Sequence, residues 1–530
     1  MRNVLIQLAV LMLLLVHGHA SNDTIHIACA GSEAECGRAL QTAIDTAPAG
    51  ATIALDAGKT YEGAFVIPPR DGASDSARLT ITTRGWNKPG DAWEALVTPA
   101  DKAHMAVLRA PARASSVIDI PPAPGAGHVN LVGIAFEASR PAGQGDLIRI
   151  GSGSAREIDH LPRNIAIRQV LIQGSRDFGQ KRGIAANGAD IEIGHIWCEE
   201  IFIAGQDNQC IAAWNGGKRV RVHHSYLAAG AENILLGGAP ITTRAMQPED
   251  WTIEDVILHK PLRWKQDKRN RTVKNLLEFK HGRRLTVRRV LAVNSWRAAQ
   301  DGRGLLLSYT TNGRCPECGN LEDVVIEDFV MLNVDAGISL QGYSYQPDSH
   351  SDGKLLDVTL RNLYVHLSTP GRAIQIANIR GRHNIRIERS TFLNHGTTWV
   401  LGIFGRAWQD DNTLVDGGPM QGLWLIDNVF TANGEYGISA PERHHYGSGL
   451  AAFADADLQV SGNVLGDAPN DHLANYNEHH EPGGENVSAP RDELLAKLPV
   501  KACGEWAEGK GADCARLRPI FEWLRLLPEP

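Results

Sequence analysis

Between Lys260 and Arg289 the chain carries twelve basic residues against Asp267 and Glu278 alone, so this window is +10 in a chain of net charge −7. A local field of that sign attracts an anionic partner. Inside the window, Leu276-Leu277-Glu278-Phe279-Lys280 alternates as a strand does. With Leu277 and Phe279 inward, Glu278 and Lys280 stand two apart on the outer face. Alignment with the next similar segment, Leu305-Leu306-Leu307, puts Glu278 beside Leu307 and Lys280 beside Tyr309. Arg303 opens that same segment, and Glu232-Asn233 precedes the equivalent one before it.

A lysine, an arginine, a tyrosine and carboxylates brought together suit β-elimination on a uronic acid. A base removes the proton next to the uronate carboxylate, cations or a metal neutralise that carboxylate as the enolate forms, and an acid protonates the leaving glycosidic oxygen. Lys280 is the expected base, its pKa depressed by its basic neighbours. Arg303 neutralises charge and Tyr309 assists the leaving group. Glu278 and Glu232 bind substrate or a Ca2+ ion, the one cofactor this set suggests. Asn233, Arg263, Trp264 and Lys265 complete the expected substrate-binding set, with Trp214, Trp264, Trp296 and Trp408 near the rim where sugars stack on indoles. The competing reading of Glu278 and Lys280 is a surface ion pair of little energetic worth. For the window as a whole it is a solvated loop with ordinary turn arginines.

Asp410-Asp411 supplies two carboxylates, as a glycoside hydrolase needs, but neighbours on one loop rarely flank a scissile bond. His223-His224, His444-His445 and His479-His480 are candidate metal or acid-base pairs in a chain of 20 His.

One pattern recurs along most of the chain and must position these residues. An apolar-polar-apolar triplet appears as Val129-Asn130-Leu131, Ile165-Ala166-Ile167, Ile191-Glu192-Ile193, Val220-Arg221-Val222 and Trp251-Thr252-Ile253, and on to Leu458-Gln459-Val460. Copies lie about 26 to 39 residues apart, the period range of solenoids. A second short strand follows in many units, as at Ile234-Leu235-Leu236, Leu305-Leu306-Leu307 and Ile374-Gln375-Ile376. Two or three short strands per irregular repeat predict an all-β parallel β-helix rather than a propeller with its steadier blades. Ala39–Ala47 places Leu40, Ala43, Ile44 and Ala47 on one helical face, a cap for the first coil. Long insertions such as Gly238–Asp250, His259–Val273, Thr310–Leu321 and Gly342–Lys354 are expected to form one rim of a groove.

With the helix followed by Ala51-Thr52-Ile53-Ala54-Leu55 and Gly58-Lys59-Thr60-Tyr61, the chain resembles the pectin-lyase-like superfamily of right-handed parallel β-helices over roughly residues 35–465. The resemblance implies the fold, but not an activity, since that superfamily holds lyases, hydrolases, esterases and adhesins. The Lys280 and Arg303 set is similar to that of alginate-lyase and chondroitinase-B-type members. Their Arg-His-Gly signature is missing from the following coil, and Lys280-His281-Gly282 is a partial echo. The pectate-lyase and polygalacturonase motif sets are also missing.

Residues 1–20 read as an export signal: Arg2, an apolar run from Val4 to Val16, and small residues at Gly18-His19-Ala20. Residues 21–465 would form one β-helix, and 466–530 a polar tail with a short helix at Arg491–Leu498. The eight cysteines fall into local pairs, Cys29/Cys36, Cys198/Cys210, Cys315/Cys318 and Cys503/Cys514, as disulfides of an exported chain do. Cys315 and Cys318 also have redox or zinc spacing. Hydrophobic residues at 43% and charged residues at 21% exclude wholesale disorder and a multispanning membrane protein. The expectation is a secreted, periplasmic or extracellular monomer, without nucleic-acid or membrane partners. It acts on an acidic polysaccharide, first as a lyase, alternatively as a hydrolase of the same fold or a non-catalytic glycan binder.

Overall fold

The structure, a computed structural model, describes residues 24–528 except 113, 139–144, 178, 268, 270, 312–314, 344–352, 380, 395–400, 405–406, 409–413, 416–419, 432–437, 440–456, 468–476, 478–483 and 499–508. The proposed signal segment, Asp410-Asp411, His444-His445 and His479-His480 lie outside the described residues, as does the side chain of Trp408.

Alternating triplets become strands with one face buried, as in Gly127–Val132 and Leu79–Thr83. Parallel pairing stacks their inward residues in one register: Val129, Ile165, Ile191, Val220, Trp251, Leu285, Val324, Val358, Ile385, Leu423 and Leu458. Burying each such side chain contributes about 1.5–3 kcal/mol. The result is a parallel β-helix with, among the described residues, a 23-stranded wide sheet and a 12-stranded narrow sheet. The second short strands of the sequence pattern, from Ile234 to Ile376, form the narrow sheet.

From the coil of Gly127–Glu137 onward, each coil crosses the wide sheet in two segments joined at a residue with positive φ, whereas the first two coils join theirs through residues 56–59 and through the insertion 84–105. Gly133, Gln169, His195, His224, Asp255, Arg289, Asp328, Asn362, Arg389, Asp427 and Gly462 occupy this corner in successive coils. Left-handed backbone costs an ordinary residue about 1–2 kcal/mol, and Asn and Asp tolerate it by local hydrogen bonding. The chain then turns into the narrow sheet and turns again to begin the next coil.

At the N-terminal end, helix Glu33–Thr46 starts at Glu33 rather than at the Ala39 its apolar face suggested, because Ser32 and Glu35 form a capping box. Leu40, Ala43 and Ile44 close the first coil. Gly37 lets the helix seat, since a Cβ there would stand 1.8 Å from the Glu62 carbonyl oxygen. At the other end the sheet outlasts the expected limit at 465: Val464–Gly466 pairs with Val487–Ala489, one further rung. Helices Arg491–Lys497 and Cys514–Glu522 follow and lie along the side of the solenoid. Tyr364 Oη donates to the Leu498 carbonyl, and Trp523 packs on Trp93 at 4.8 Å between ring centres.

Disulfides join Cys29 to Cys36, Cys198 to Cys210 and Cys315 to Cys318, so the last pair is a loop staple here rather than a thiolate metal site. Cys514 is also disulfide-bonded, and Cys503 lies outside the described residues. Among the described residues, no helix is long and apolar enough to cross a membrane.

Near the C-terminal end, an asparagine ladder replaces apolar stacking. Asn428, Asn463 and Asn486 are buried, and each donates its amide to a backbone carbonyl, of Ile387, Leu425 and Val460 respectively. Their Oδ1 atoms accept the backbone N–H of Ser390, Asn428 and Asn463. Replacing Asn463→Ala leaves those buried groups unpaired and should lower stability by about 1–3 kcal/mol. Hydrogen exchange of the coils around residue 463 measures this, and unchanged protection would show that the ladder does not hold them.

Candidate active site

The start of the narrow sheet carries a polar column instead of an apolar one. Asp146, Arg182, Gln209 and Glu232 pair in register across four coils. Arg182 donates to Asp146 at 2.8 Å and to Gln209 at 3.0 Å, and Gln209 Nε2 donates to Glu232 at 2.8 Å. In the next coil Asn275 Nδ2 donates to Glu278 at 2.8 Å and to Gln300 at 2.9 Å. Lys280 Nζ lies 3.4 Å from Glu278, while Lys274 pairs with Asp207 and stands 3.9 Å from Glu232. Arg303, at the start of the following strand, pairs with Asp301 at 2.6 Å and feels the Glu278 charge. Lys280 thus lies against Glu278, with Glu232 one coil before and Arg303 one coil after.

Glu232 is nearly fully buried, and desolvation, reinforced by the Glu278 and Asp207 charges, pushes its pKa up to about 8. A carboxyl in that state holds a proton through neutral pH. What presents it is a buried lysine. Lys260 Nζ donates to the carbonyls of Ala229, Gly230 and Ala231 at 2.9, 2.6 and 3.0 Å, and Asn208 Oδ1 accepts from the Ala231 N–H. These bonds fix the turn that ends at Glu232. Burial lowers the Lys260 pKa to about 7, partly offset by Glu232. Lys260 had looked like one member of a basic surface; no pattern in the sequence marks it as the organiser of a turn. Gln209, Lys274 and Asn275 are further members of the site that carry no motif.

Several expectations are corrected. The Lys280 pKa is raised, first by the adjacent Glu278 charge, rather than depressed by basic neighbours, which makes Lys280 a held cation and a poor base. Tyr309 belongs to the apolar core, fully buried, and its hydroxyl donates to the Cys318 carbonyl. The pairing is displaced by one residue: Leu277 faces Leu305 and Glu278 faces Leu306. Leu276 and Leu277 are both buried, so the apolar pattern left the register open, and one step exchanges the two faces. Asn233 points into the turn, donating to the Leu227 and His259 carbonyls.

Arg263 pairs with Glu200, and Trp264 is buried against the Arg271 guanidinium at 4.6 Å. Lys265 is exposed with its ammonium 6.0 Å from the Trp296 ring centre. These three brace the 260–276 loop and are not seen to join the polar column. Trp296 is also buried, and Trp214 is covered by Arg182 at 4.6 Å. The insertions do not all occupy one position in the coil. His259–Val273 precedes its narrow-sheet strand, whereas Gly238–Asp250 and Thr310–Leu321 follow theirs.

The basic window is largely neutralised by the preceding coil. Arg283 and Arg284 pair with Glu249 and Asp250; Arg288 and Arg289 pair with Glu254 and Asp255. Arg271 pairs with Glu200 and Asp267, and Lys260 is buried on carbonyls. The +10 count is thus a property of the sequence window and not of the surface. Nor does the oxygen set suit Ca2+: the carboxylates are taken by ammonium and amide donors, and among the described residues only Asn275 Oδ1 is a buried, unpartnered oxygen in this cluster.

The raised pKa of Glu232 has a measurable sign. The folded carboxyl holds its proton to about 8 and the unfolded one to 4.5, so its contribution to stability is full below 4.5 and declines as pH rises towards 8. Glu232→Gln cannot ionise. Its melting temperature relative to the native protein should increase steadily across that window, and a pH-independent difference would contradict a proton held at Glu232.

No family model and no curated protein matches the chain. Solved structures of similar backbone course include the PL6 family alginate lyase AlyGC, at TM-score 0.47 and 13% identity over 88% of this chain and 53% of that one. The PL6 family polysaccharide lyase Pedsa3628 from Pseudopedobacter saltans gives 0.42 and 12% over 94% and 98% of the two chains. The catalytic unit of a GH87 alpha-1,3-glucanase from Streptomyces thermodiastaticus gives 0.43 and 11% over 93% and 70%. The chain spans about half the length of AlyGC.

Proposed function

We propose that the protein is an exported polysaccharide lyase that cleaves a uronate-containing chain by β-elimination at the cluster around Glu232, Glu278, Lys280 and Arg303. The observation that carries this reading is Glu232: a carboxyl kept protonated to about 8 while it sits beside the Glu278 carboxylate and the cations Lys274 and Lys280. Acid, base and cation are then present together, which is what elimination next to a carboxylate requires.

In this mechanism Lys280 and Arg303 meet the substrate carboxylate and stabilise the negative charge that moves onto it. Glu278 accepts the proton from the carbon next to that carboxylate. As the carbon–carbon double bond forms, the glycosidic carbon–oxygen bond breaks and Glu232 gives its proton to the leaving oxygen. Both carboxyl groups return to their starting states by exchanging that proton through solvent. The disulfides support an oxidising compartment for the mature protein.

The same carboxyl pair favours hydrolysis as the second reading, because one protonated and one ionised carboxyl also serve a glycoside hydrolase. A panel of pectate, alginate and glycosaminoglycans separates the two: unsaturated products absorb in the ultraviolet, whereas hydrolysis yields reducing ends without absorbance. We expect absorbance on an acidic substrate. Glu232→Gln should lower kcat by about 10²- to 10⁴-fold with little change in KM, and Lys280→Ala and Arg303→Ala should impair turnover of the charged substrate. Full activity in Glu232→Gln would remove this carboxyl from the chemistry.

A further inference from the structure

Three histidines gather at the corner of the wide sheet, on a different sheet from the carboxyl cluster. His195 and His224 occupy the left-handed corner in successive coils, and His223 precedes the second corner. One ring nitrogen from each lies within 4.8 Å of the others. The three ring centres are 5.1, 5.2 and 5.4 Å apart, a nearly equilateral triangle. Three imidazoles bound to one tetrahedral ion at a metal–nitrogen distance of about 2.0–2.1 Å would have ring centres roughly 5.2 Å apart. The spacing of the ring centres is that of a ligand set, and turning the rings about their side-chain bonds would bring the nitrogens, now within 4.8 Å, onto one ion.

The hydrogen bonds agree. His223 Nε2 lies 3.1 Å from Glu192 Oε1, so the carboxylate holds the Nε2 proton and leaves a lone pair on Nδ1. That Nδ1 faces His224 Nδ1 at 3.1 Å, close to the roughly 3.3 Å separating two nitrogens on one tetrahedral ion. His195 is 8% exposed, and its Nε2 is buried without a hydrogen-bond partner. A buried, unpaired nitrogen is costly unless something meets it.

The neighbouring residues keep the space. Gly194 lies opposite His223 in the ladder, and a Cβ there would stand 2.4 Å from the His223 ring, so the glycine provides the room the ring fills. Trp93 packs edge-on against His224 at 5.7 Å, and Trp523 of the C-terminal segment packs on Trp93.

We propose that His195, His223 and His224 bind one borderline-soft divalent transition ion of the zinc class, with Glu192 orienting His223. Nitrogen-only donors select such an ion over calcium or magnesium, which take oxygen ligands. Three ligands leave a fourth position for water or an external donor. The ion would tie two successive coils together at their corner.

The test uses the full mature chain, stripped with a chelator and titrated with Co2+ and then Zn2+ by calorimetry and visible absorption. We expect one equivalent of Co2+ with the intense ligand-field bands of a tetrahedral site, displaced by Zn2+. His195→Asn and His224→Asn keep a residue that tolerates positive φ, so they should fold with the metal-free melting temperature of the native chain and bind about 100-fold more weakly or not at all. Glu192→Gln should weaken binding about 10- to 100-fold. Gly194→Ala, which displaces the His223 ring, should act like the histidine variants. Absence of stoichiometric binding, or binding unchanged in these variants and therefore seated on another of the chain's histidines, would overturn the proposal.

Discussion

The molecule depends on one backbone constraint: from Gly133 to Gly462, successive coils change direction within the wide sheet at a single residue in left-handed conformation. A one-residue corner leaves no slack, so the segments before and after it are locked in phase. That phase sets which side chains turn inward, and it repeats because each coil hydrogen-bonds to the last. Asp, Asn, Gly and His fill much of this column, where left-handed geometry is tolerated, while Arg289 and Arg389 occupy it with the support of carboxylate or backbone partners. The inward apolar stack, the polar column at the start of the narrow sheet and the histidine triangle all inherit their alignment from it.

Alignment also governs the electrostatics. Residues about 34 positions apart become neighbours across the ladder, so Arg283, Arg284, Arg288 and Arg289 meet Glu249, Asp250, Glu254 and Asp255. These carboxylates gain cationic neighbours in space; Glu249 and Glu254 are held down to about 2, against desolvation, by arginine or lysine hydrogen bonds. Where desolvation and other carboxylates outweigh the nearest cation, Lys274 at 3.9 Å, the balance reverses. Glu232 is desolvated, has Glu278 nearby, and keeps its proton. A solenoid can thus keep one carboxyl protonated by desolvating it beside a second carboxylate.

The fold was legible because alternation and period survive irregular loop lengths, and the triplets and second strands fall where their pattern put them. The site was half legible. Glu232, Glu278, Lys280 and Arg303 were found because they interrupt apolar strands, which is visible in one dimension. Tyr309 was misplaced because two adjacent buried leucines permit either register. The roles of Asn233 and Lys260 were hidden, since a buried amide or ammonium bonding to backbone carbonyls has no spacing rule. The local charge count failed for a related reason: it sums along the chain, whereas the structure sums between coils. His223-His224 was visible as a pair, but the third member, His195, is brought in only by the corner column.

The C-terminal segment alters how the whole solenoid holds together. Lys510 pairs with Asp427, the Asp513 N–H donates to Asn362, Arg516 pairs with Asp328, and Trp523 reaches Trp93. A repeat array with contacts only between adjacent coils melts rung by rung from its ends. Here a strap laid along the side connects coils of the C-terminal half to a loop near the N-terminal end. Opening either end must therefore also release contacts near the other, and a stack that would otherwise fray as independent units is tied into a more cooperative body.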